Sequence, residues 1–398
     1  MVEKNELEQI FQKASLWCIK RNYKGYDPYD WWASPIANKL PYKLNLIISQ
    51  INIYSPINLR GFFKIKEGIS NKALTLFVQA YLNYCSLKQN CKYLNEIRKL
   101  LSILEMRKIE NDNGIGWASH YFKFARKEHT LSPNQPDIVA TSEALKAYSL
   151  AYNLLKEQRY KIIADKITNF ILSTFIEEYK TTKYIKYFPS EKRKIVFNVS
   201  GLVLSSLSYY LKYIHMKDFM IATGEELVKF LVKSQRNDGA WPYSYYIDEN
   251  KYKYQIDYHQ GFILDGLLQF LPYVSSEDLK KKMKKSINLG LQFYKNRQFH
   301  PSGYSYYRLP YKYPVDIHNQ AQGIITFSQA YKFLNDKSYR DFAMRVTEWT
   351  IKNMLSPEGY FYTHRWPFMI NKIPYMRWGQ AWMLLALSSL LKEIEEVK

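Results

Sequence analysis

Polar helix starts recur along this chain at a nearly constant interval, and that interval limits the possible folds more than any other feature. Asp137, Phe197, Asp257, Asp316 and Met376 each precede or open an apolar helical run, in steps of 60, 60, 59 and 60 residues. Each unit reads as a helix, a turn built on Gly and an aromatic residue with a short extended strip, and a second helix. The turns are Gly239-Ala240-Trp241, Ser302-Gly303-Tyr304 and Glu358-Gly359-Tyr360, with Asn113-Gly114-Ile115-Gly116-Trp117 as an earlier copy. One helical hairpin cannot bury its own apolar face and must stack on neighbours. At this period six units need about 360 residues, which fits within the 398 present. Degenerate copies carrying different polar groups favour a closed ring with one site over an open solenoid. The expected fold is all-α, an (α/α)6 toroid with short strands in the hairpin turns. It spans residues 1–398 as a single domain, with 1–35 forming an N-terminal helix and a loop that covers the site.

Composition narrows the partners. Lys and Arg outnumber Asp and Glu by 57 to 36, a formal charge of +21. Such a surface attracts polyanions or anionic headgroups. The charges are spread along the chain, and no nucleic-acid motif accompanies them, so no specific nucleic acid is expected. The cluster Lys280–Lys285 reads as a solvated helix face. Tyr is abundant, 36 residues, and its ring and hydroxyl suit sugar-facing clefts. Cys18, Cys85 and Cys91 lack metal-ligand spacing and read as free, inert thiols in a reducing compartment. The charged amphipathic N-terminus lacks the apolar run of a signal peptide, and no window holds the ~18 apolar residues of a membrane span. The expected location is cytoplasmic, with peripheral contact at the inner membrane face.

The second helices of the units carry the chemistry. Their first turns present unpaired N–H groups and a positive dipole end, which favours an anionic group such as a uronate or phosphate. His259 and His318 each stand two residues after an Asp, at equivalent positions in adjacent units. Two imidazoles facing one cavity can act as acid and base. Asp257 and Asp316 cap their helices or orient those rings, and Tyr258 and Tyr375 offer phenolic alternatives. Arg377 can fork onto a carboxylate or phosphate. Gln260, Gln320 and Gln380 can bond sugar hydroxyls or neighbouring loops. Trp241 packs the ring end or offers a sugar-stacking face. The loop Gly25–Trp32 sets Asp27, Asp30 and Trp31 among aromatic residues, either as a sugar-like environment or as a cap and hydrophobic plug. No zinc motif, phosphate loop, dinucleotide fingerprint or nucleophile elbow occurs, so no metal and no cofactor are expected.

Two resemblances attach to these residues. KFLVKSQRNDGAW, with Gln235 and Gly239-x-Trp241, resembles the Gln-Trp repeat of terpenoid-cyclase toroids, although the DxDD signature of the protonating cyclases is missing. GYDPYDWWAS, DGAWPY, DYHQGFILDGL, YPVDIHNQAQGI and NKIPYMRWGQAWMLLAL together resemble the VpsJ-like proteins associated with polysaccharide biosynthesis. That resemblance implies a toroid in a glycan context. More distantly the layout is similar to N-acylglucosamine 2-epimerases and uronyl C5-epimerases. The expected activity is epimerisation of an anionic saccharide, free, lipid-linked or nucleotide-linked, by His259 and His318, with Asp257, Asp316 and Tyr258 in support. Substrate binding is expected from Asp27, Asp30, Trp31, Trp241, Gln260, Gln320, Tyr375, Arg377 and Gln380. A glycoside hydrolase or polysaccharide lyase, a non-catalytic glycan-binding assembly protein and a terpenoid-handling toroid are the alternatives.

Overall fold

A computed structural model describes residues 3–125, 130–215 and 217–395; the rest of the expected 1–398 domain lies outside it. Six helices form an inner ring: α3 (Asn71–Cys85), α5 (Ile138–Leu155), α7 (Phe197–Tyr213), α9 (His259–Phe270), α11 (Ile317–Leu334) and α13 (Ala381–Glu395). Each lies against the next, and α13 returns to α3, so the ring is closed. These helices are buried nearly all round, their polar side chains included. Every residue of α3 is buried. The fold is the (α/α)6 toroid.

An outer layer surrounds the ring: α1 (Lys4–Lys20), α4 (Leu94–Met106), α6 (Gln158–Thr174), α8 (Asp218–Ser234), α10 (Glu277–Gln298) and α12 (Lys337–Met354). Helix α1 packs on α13. The N-terminal helix is thus the sixth outer helix. Capping fixes the inner starts: Ser70 accepts from Ala73 N–H, Asp137 from Ala140 N–H and Asp316 from His318 N–H. One further helix, α2 (Tyr42–Tyr54), stands outside both layers.

The strands are short and lie in the loops leading to the inner helices. Three hairpins come first: β1–β2 (Ile109–Asn111, Gly114–Gly116), β3–β4 (Phe124–Ala125, Thr130–Leu131) and β5–β6 (Ile176–Tyr179, Thr182–Ile185). β7 (Lys194–Val196) pairs with the hairpin β8–β9 (Ser244–Tyr246, Lys251–Lys253). β10 (Val315–Asp316) pairs with the hairpin β11–β12 (His364–Arg365, Ile370–Asn371), which sets Asp316 opposite His364. Each three-stranded sheet ties one unit to the next over the N-terminal end of the ring.

The cysteines differ from expectation. Cys85 and Cys91 form a disulfide joining the end of α3 to the approach to α4. Only Cys18 is free, and burial pushes its thiol far up. The spacing of six residues that brings the pair together is a loop closure, not a metal motif. The reducing-compartment reading therefore loses its basis in three free thiols. Among the described residues no helix is long and apolar enough to cross a membrane.

Candidate functional site

The parallel inner helices bring their N-terminal ends to one face of the ring, around a cavity of about 280 Å³. Its lining follows the repeat. Ser70, Asp137, Val196, Asp257, Asp316 and Tyr375 precede the first turns of the six inner segments. The residue two further on lines the cavity in every unit: Lys72, Val139, Asn198, His259, His318 and Arg377. Six equivalent positions of the repeat thus bring six side chains of five kinds to one cavity. The loops add Tyr29, Tyr187, Tyr243 and Tyr307 as walls, and the helical turn Met376–Gln380 adds Trp378. The loops also add Lys194, Lys253 and Arg308, against the carboxylates Asp257 and Asp316. Basic groups thus outnumber acidic ones around the cavity, which favours an anionic occupant.

Asp257 and His259 form a dyad. His259 Nδ1 lies 2.5 Å from Asp257 Oδ1, which also accepts the His259 backbone N–H at 3.2 Å. Asp257 Oδ2 accepts from Gln255 at 2.9 Å and faces Arg308 at 3.4 Å. Burial works to raise the Asp257 carboxyl, but His259, Arg308 and Gln255 outweigh it and hold the group below its ordinary value. A charged carboxylate accepts, so Nδ1 carries the hydrogen and Nε2 is left to the cavity.

His318 is different. Its ring lies in a stack: Tyr258 is 4.1 Å from His259 on one side and 4.1 Å from His318 on the other, and Trp382 follows at 4.8 Å. Both His318 ring nitrogens are buried without a protein partner. Burial, then the charges of Lys72, His259 and Arg377, hold this imidazole well below its usual range. It is a neutral, desolvated ring. Nor does Asp316 orient it. Asp316 accepts from Trp378 Nε1 at 3.0 and 3.2 Å, and lies 3.2 Å from His364 Nε2. The orienting role foreseen for both aspartates is filled at Asp257 alone. The β10–β11 register gives Asp316 another histidine.

Asp257, Tyr258, His259, Asp316, His318 and Arg377 all line the cavity. Arg377 does not present a free fork: its Nε and Nη2 bind Asp27 at 2.5 and 2.9 Å. Its open nitrogen is Nη1. The remaining candidates do structural work in place of the expected substrate binding. Asp27 is the partner of Arg377, and Asp30 is held by Arg60 at 2.8 Å with both side chains fully buried. Trp31 is buried and donates to Asn45 at 2.9 Å. Tyr375 accepts from Arg60 at 2.8 Å within the same cluster. Trp241 is buried, its Nε1 donating to Leu231 O at 2.8 Å. Gln260 accepts the Trp241 N–H at 2.8 Å and donates to Trp241 O at 2.9 Å; Gln380 does the same to Phe361, at 2.8 Å each way. Gln320 accepts from Ser305 N–H and donates to Gly303 O and Thr350. These amides are buried and clamp the Gly-aromatic turns, and none of the three lines the cavity.

Lys72 is the main residue that sequence reasoning missed. It sits in an apolar helix, two residues after Ser70, and its ammonium lies 5.2 Å over the Trp382 ring. Burial takes it down to about 8, with Arg377 acting in the same direction. The repeat position shared with His259 and His318 was the available signal. Arg308 and His364 carried none, because strand and loop pairings place them; Trp378 follows Arg377 in the helical turn Met376–Gln380.

No protein-family model matches the sequence, and no curated protein matches it either. Solved structures do. A cellobiose 2-epimerase from Bacillus thermoamylovorans is 12% identical, with 84% of this chain and 90% of that one covered and a TM-score of 0.65. A possible member of the GH105 family from Salmonella enterica is 12% identical over 99% and 96% of the two chains, at 0.64. A GH76 alpha-mannanase from Bacteroides thetaiotaomicron is 10% identical over 82% and 87%, at 0.62. At such identities the likeness is one of fold, and it agrees with the closed ring of six helical hairpins described above.

Proposed function

We propose that the chain is a carbohydrate-active enzyme that epimerises an anionic saccharide by proton transfer, within surface polysaccharide or glycoconjugate biosynthesis. The observation that carries this reading is the Asp257–His259 dyad opening onto a cavity rich in basic groups. Its Nε2 lone pair is a base placed where an anionic sugar is attracted. Loss of a proton from carbon beside a carbonyl or carboxylate leaves negative charge on oxygen. His318, neutral and unpartnered, offers an N–H to that oxygen without first having to shed a proton. Lys72, with its ammonium near neutrality, returns a proton or holds the charge. Several solved toroids of this fold act on sugars, a cellobiose 2-epimerase among them, and the VpsJ-like resemblance supplies the biosynthetic setting.

Hydrolysis is supported less well. It requires one carboxyl to stay protonated as an acid. Asp257 is held charged, and Asp316 receives the donors of Trp378, His364 and the His318 backbone. The deciding experiment incubates uronic-acid and amino-sugar glycans with the protein in deuterated water. Deuterium at a sugar carbon, lost in His259→Gln, is the expected result. New reducing ends without exchange would mark a hydrolase. Tight binding with neither product would mark a glycan-binding protein.

A further inference from the structure

Helix α2 turns polar side chains inward and much of its aliphatic surface outward. Asn45, Ser49 and Asn52 are buried, while Leu44, Leu46, Ile47 and Ile51 are 42, 39, 58 and 54% exposed. The inward amides fix this orientation. Asn45 accepts from Trp31 and donates to Ala37 O, and Asn52 donates to Asp30 at 3.1 Å. Turning the apolar face inward would break the bonds that satisfy the buried Asp30–Arg60 cluster. The aliphatic stripe is therefore held outward. It continues through Ile57 and Phe62, 67 and 79% exposed. Asn371 donates to Ile53 O and Ser55 O, tying hairpin β11–β12 to the end of α2. The tip of that hairpin carries Phe368, 88% exposed.

Charge selects what this face meets. No carboxylate occurs between Asp30 and Glu67, whereas Lys39, Lys43, Lys64 and Lys66 are all exposed there. An outward aliphatic and aromatic ridge among lysines has the composition of a helix lying in the headgroup region of a bilayer. A second copy would bring the same lysines and another +21 of charge to the contact, which opposes self-association. We propose that α2 and the β11–β12 tip seat the protein on an anionic lipid bilayer. Gln50 and Tyr54 of α2 share a cleft with Asp316 and His364. The site therefore opens beside the docked face, within reach of a glycan on a lipid carrier. The docking itself does not depend on which reaction the site performs.

The test is cosedimentation of the full chain with vesicles of phosphatidylcholine and phosphatidylglycerol in equal parts, against phosphatidylcholine alone. Binding to the mixed vesicles, weakened by salt, is expected. The double variant Ile47→Ser/Ile51→Ser should lose at least about tenfold in partition, and Lys39→Gln/Lys43→Gln about fivefold per lysine. Because these side chains are exposed, thermal melting should match that of the parent. Absence of binding to the mixed vesicles overturns the proposal, as does equal binding by the variants. Self-association abolished by the isoleucine pair, without vesicle binding, assigns the face to a second copy and also overturns it.

Discussion

His259 and His318 share a repeat position but begin from different protonation chemistry. One has a carboxylate at Nδ1; the other has no polar partner on either nitrogen. If His259 is the base, His259→Gln should lower turnover by about 10²–10⁴-fold with the melting temperature retained. Asp257→Asn, which frees the tautomer, should also lower it and leave substrate affinity nearly unchanged. Lys72 adds a pH test. Its ammonium titrates near 8, so activity that needs it charged declines as pH rises through that value. Lys72→Arg should move the alkaline limb of the pH–rate profile upward. Deeper in the ring, burial raises the Asp265 carboxyl to about 7, and Glu143 adds to the effect. The native state then keeps a proton that the unfolded chain has lost between pH 4 and 7, so this group's contribution to stability falls as pH rises through that window. Asp265→Asn should flatten the slope and stabilise the protein at pH 8 by roughly 2–4 kcal/mol, read from urea midpoints at pH 5 and 8. Sequence made the Asp257–His259 adjacency visible because the two groups are two residues apart. It hid the Asp27–Arg377 pair, whose members are 350 positions apart and meet only when the ring closes.

At the scale of the element, the repeated unit is a clamp. Gln260, Gln320 and Gln380 are spaced 60 residues apart and bind the turn that precedes their own helix. Ser200 accepts from Ile185 N–H, and Thr141 from Trp117 N–H, in a shorter version of the same device. The glycines of these turns serve the layer outside. Gly114, Gly239 and Gly303 have φ of +133, +98 and +104°, and an added Cβ would lie 2.2–2.5 Å from a carbonyl oxygen of α6, α10 or α12. The 60-residue interval was readable because clamp, turn and packing distance must all repeat together. The function of each polar residue was not, because a glutamine that clamps a turn and one that binds a sugar look alike in sequence. Gln260→Ala strands the buried Trp241 N–H and C=O. It should cost about 1–3 kcal/mol by denaturant unfolding. Any surviving activity should keep an unchanged Michaelis constant, whereas a sugar-binding glutamine would raise it.

The whole molecule depends on how the ring is closed. Gly359, at φ +101°, packs against Lys13 of α1, as the other turn glycines pack on their outer helices. Trp17 meets Tyr360 at 5.1 Å, and Phe11 stacks on Tyr84 of α3 at 4.8 Å. Helix α1, first in sequence, thus joins the last unit to the first. This was hidden in the sequence because α13, the inner helix it packs on, is the most distant one along the chain. Were the units a stack with free ends, damage at α1 would fray the terminal unit and spare the cavity. In a closed ring every unit contributes at least one side chain to the same cavity, so opening any seam displaces the site. Phe11 is fully buried, and Phe11→Ala should cost about 3–5 kcal/mol. That loss should lower the midpoint of one cooperative transition followed both by far-ultraviolet dichroism and by a fluorophore bound in the cavity. If the two probes separate, with helix signal lost first and the cavity persisting, the ring does not act as a unit.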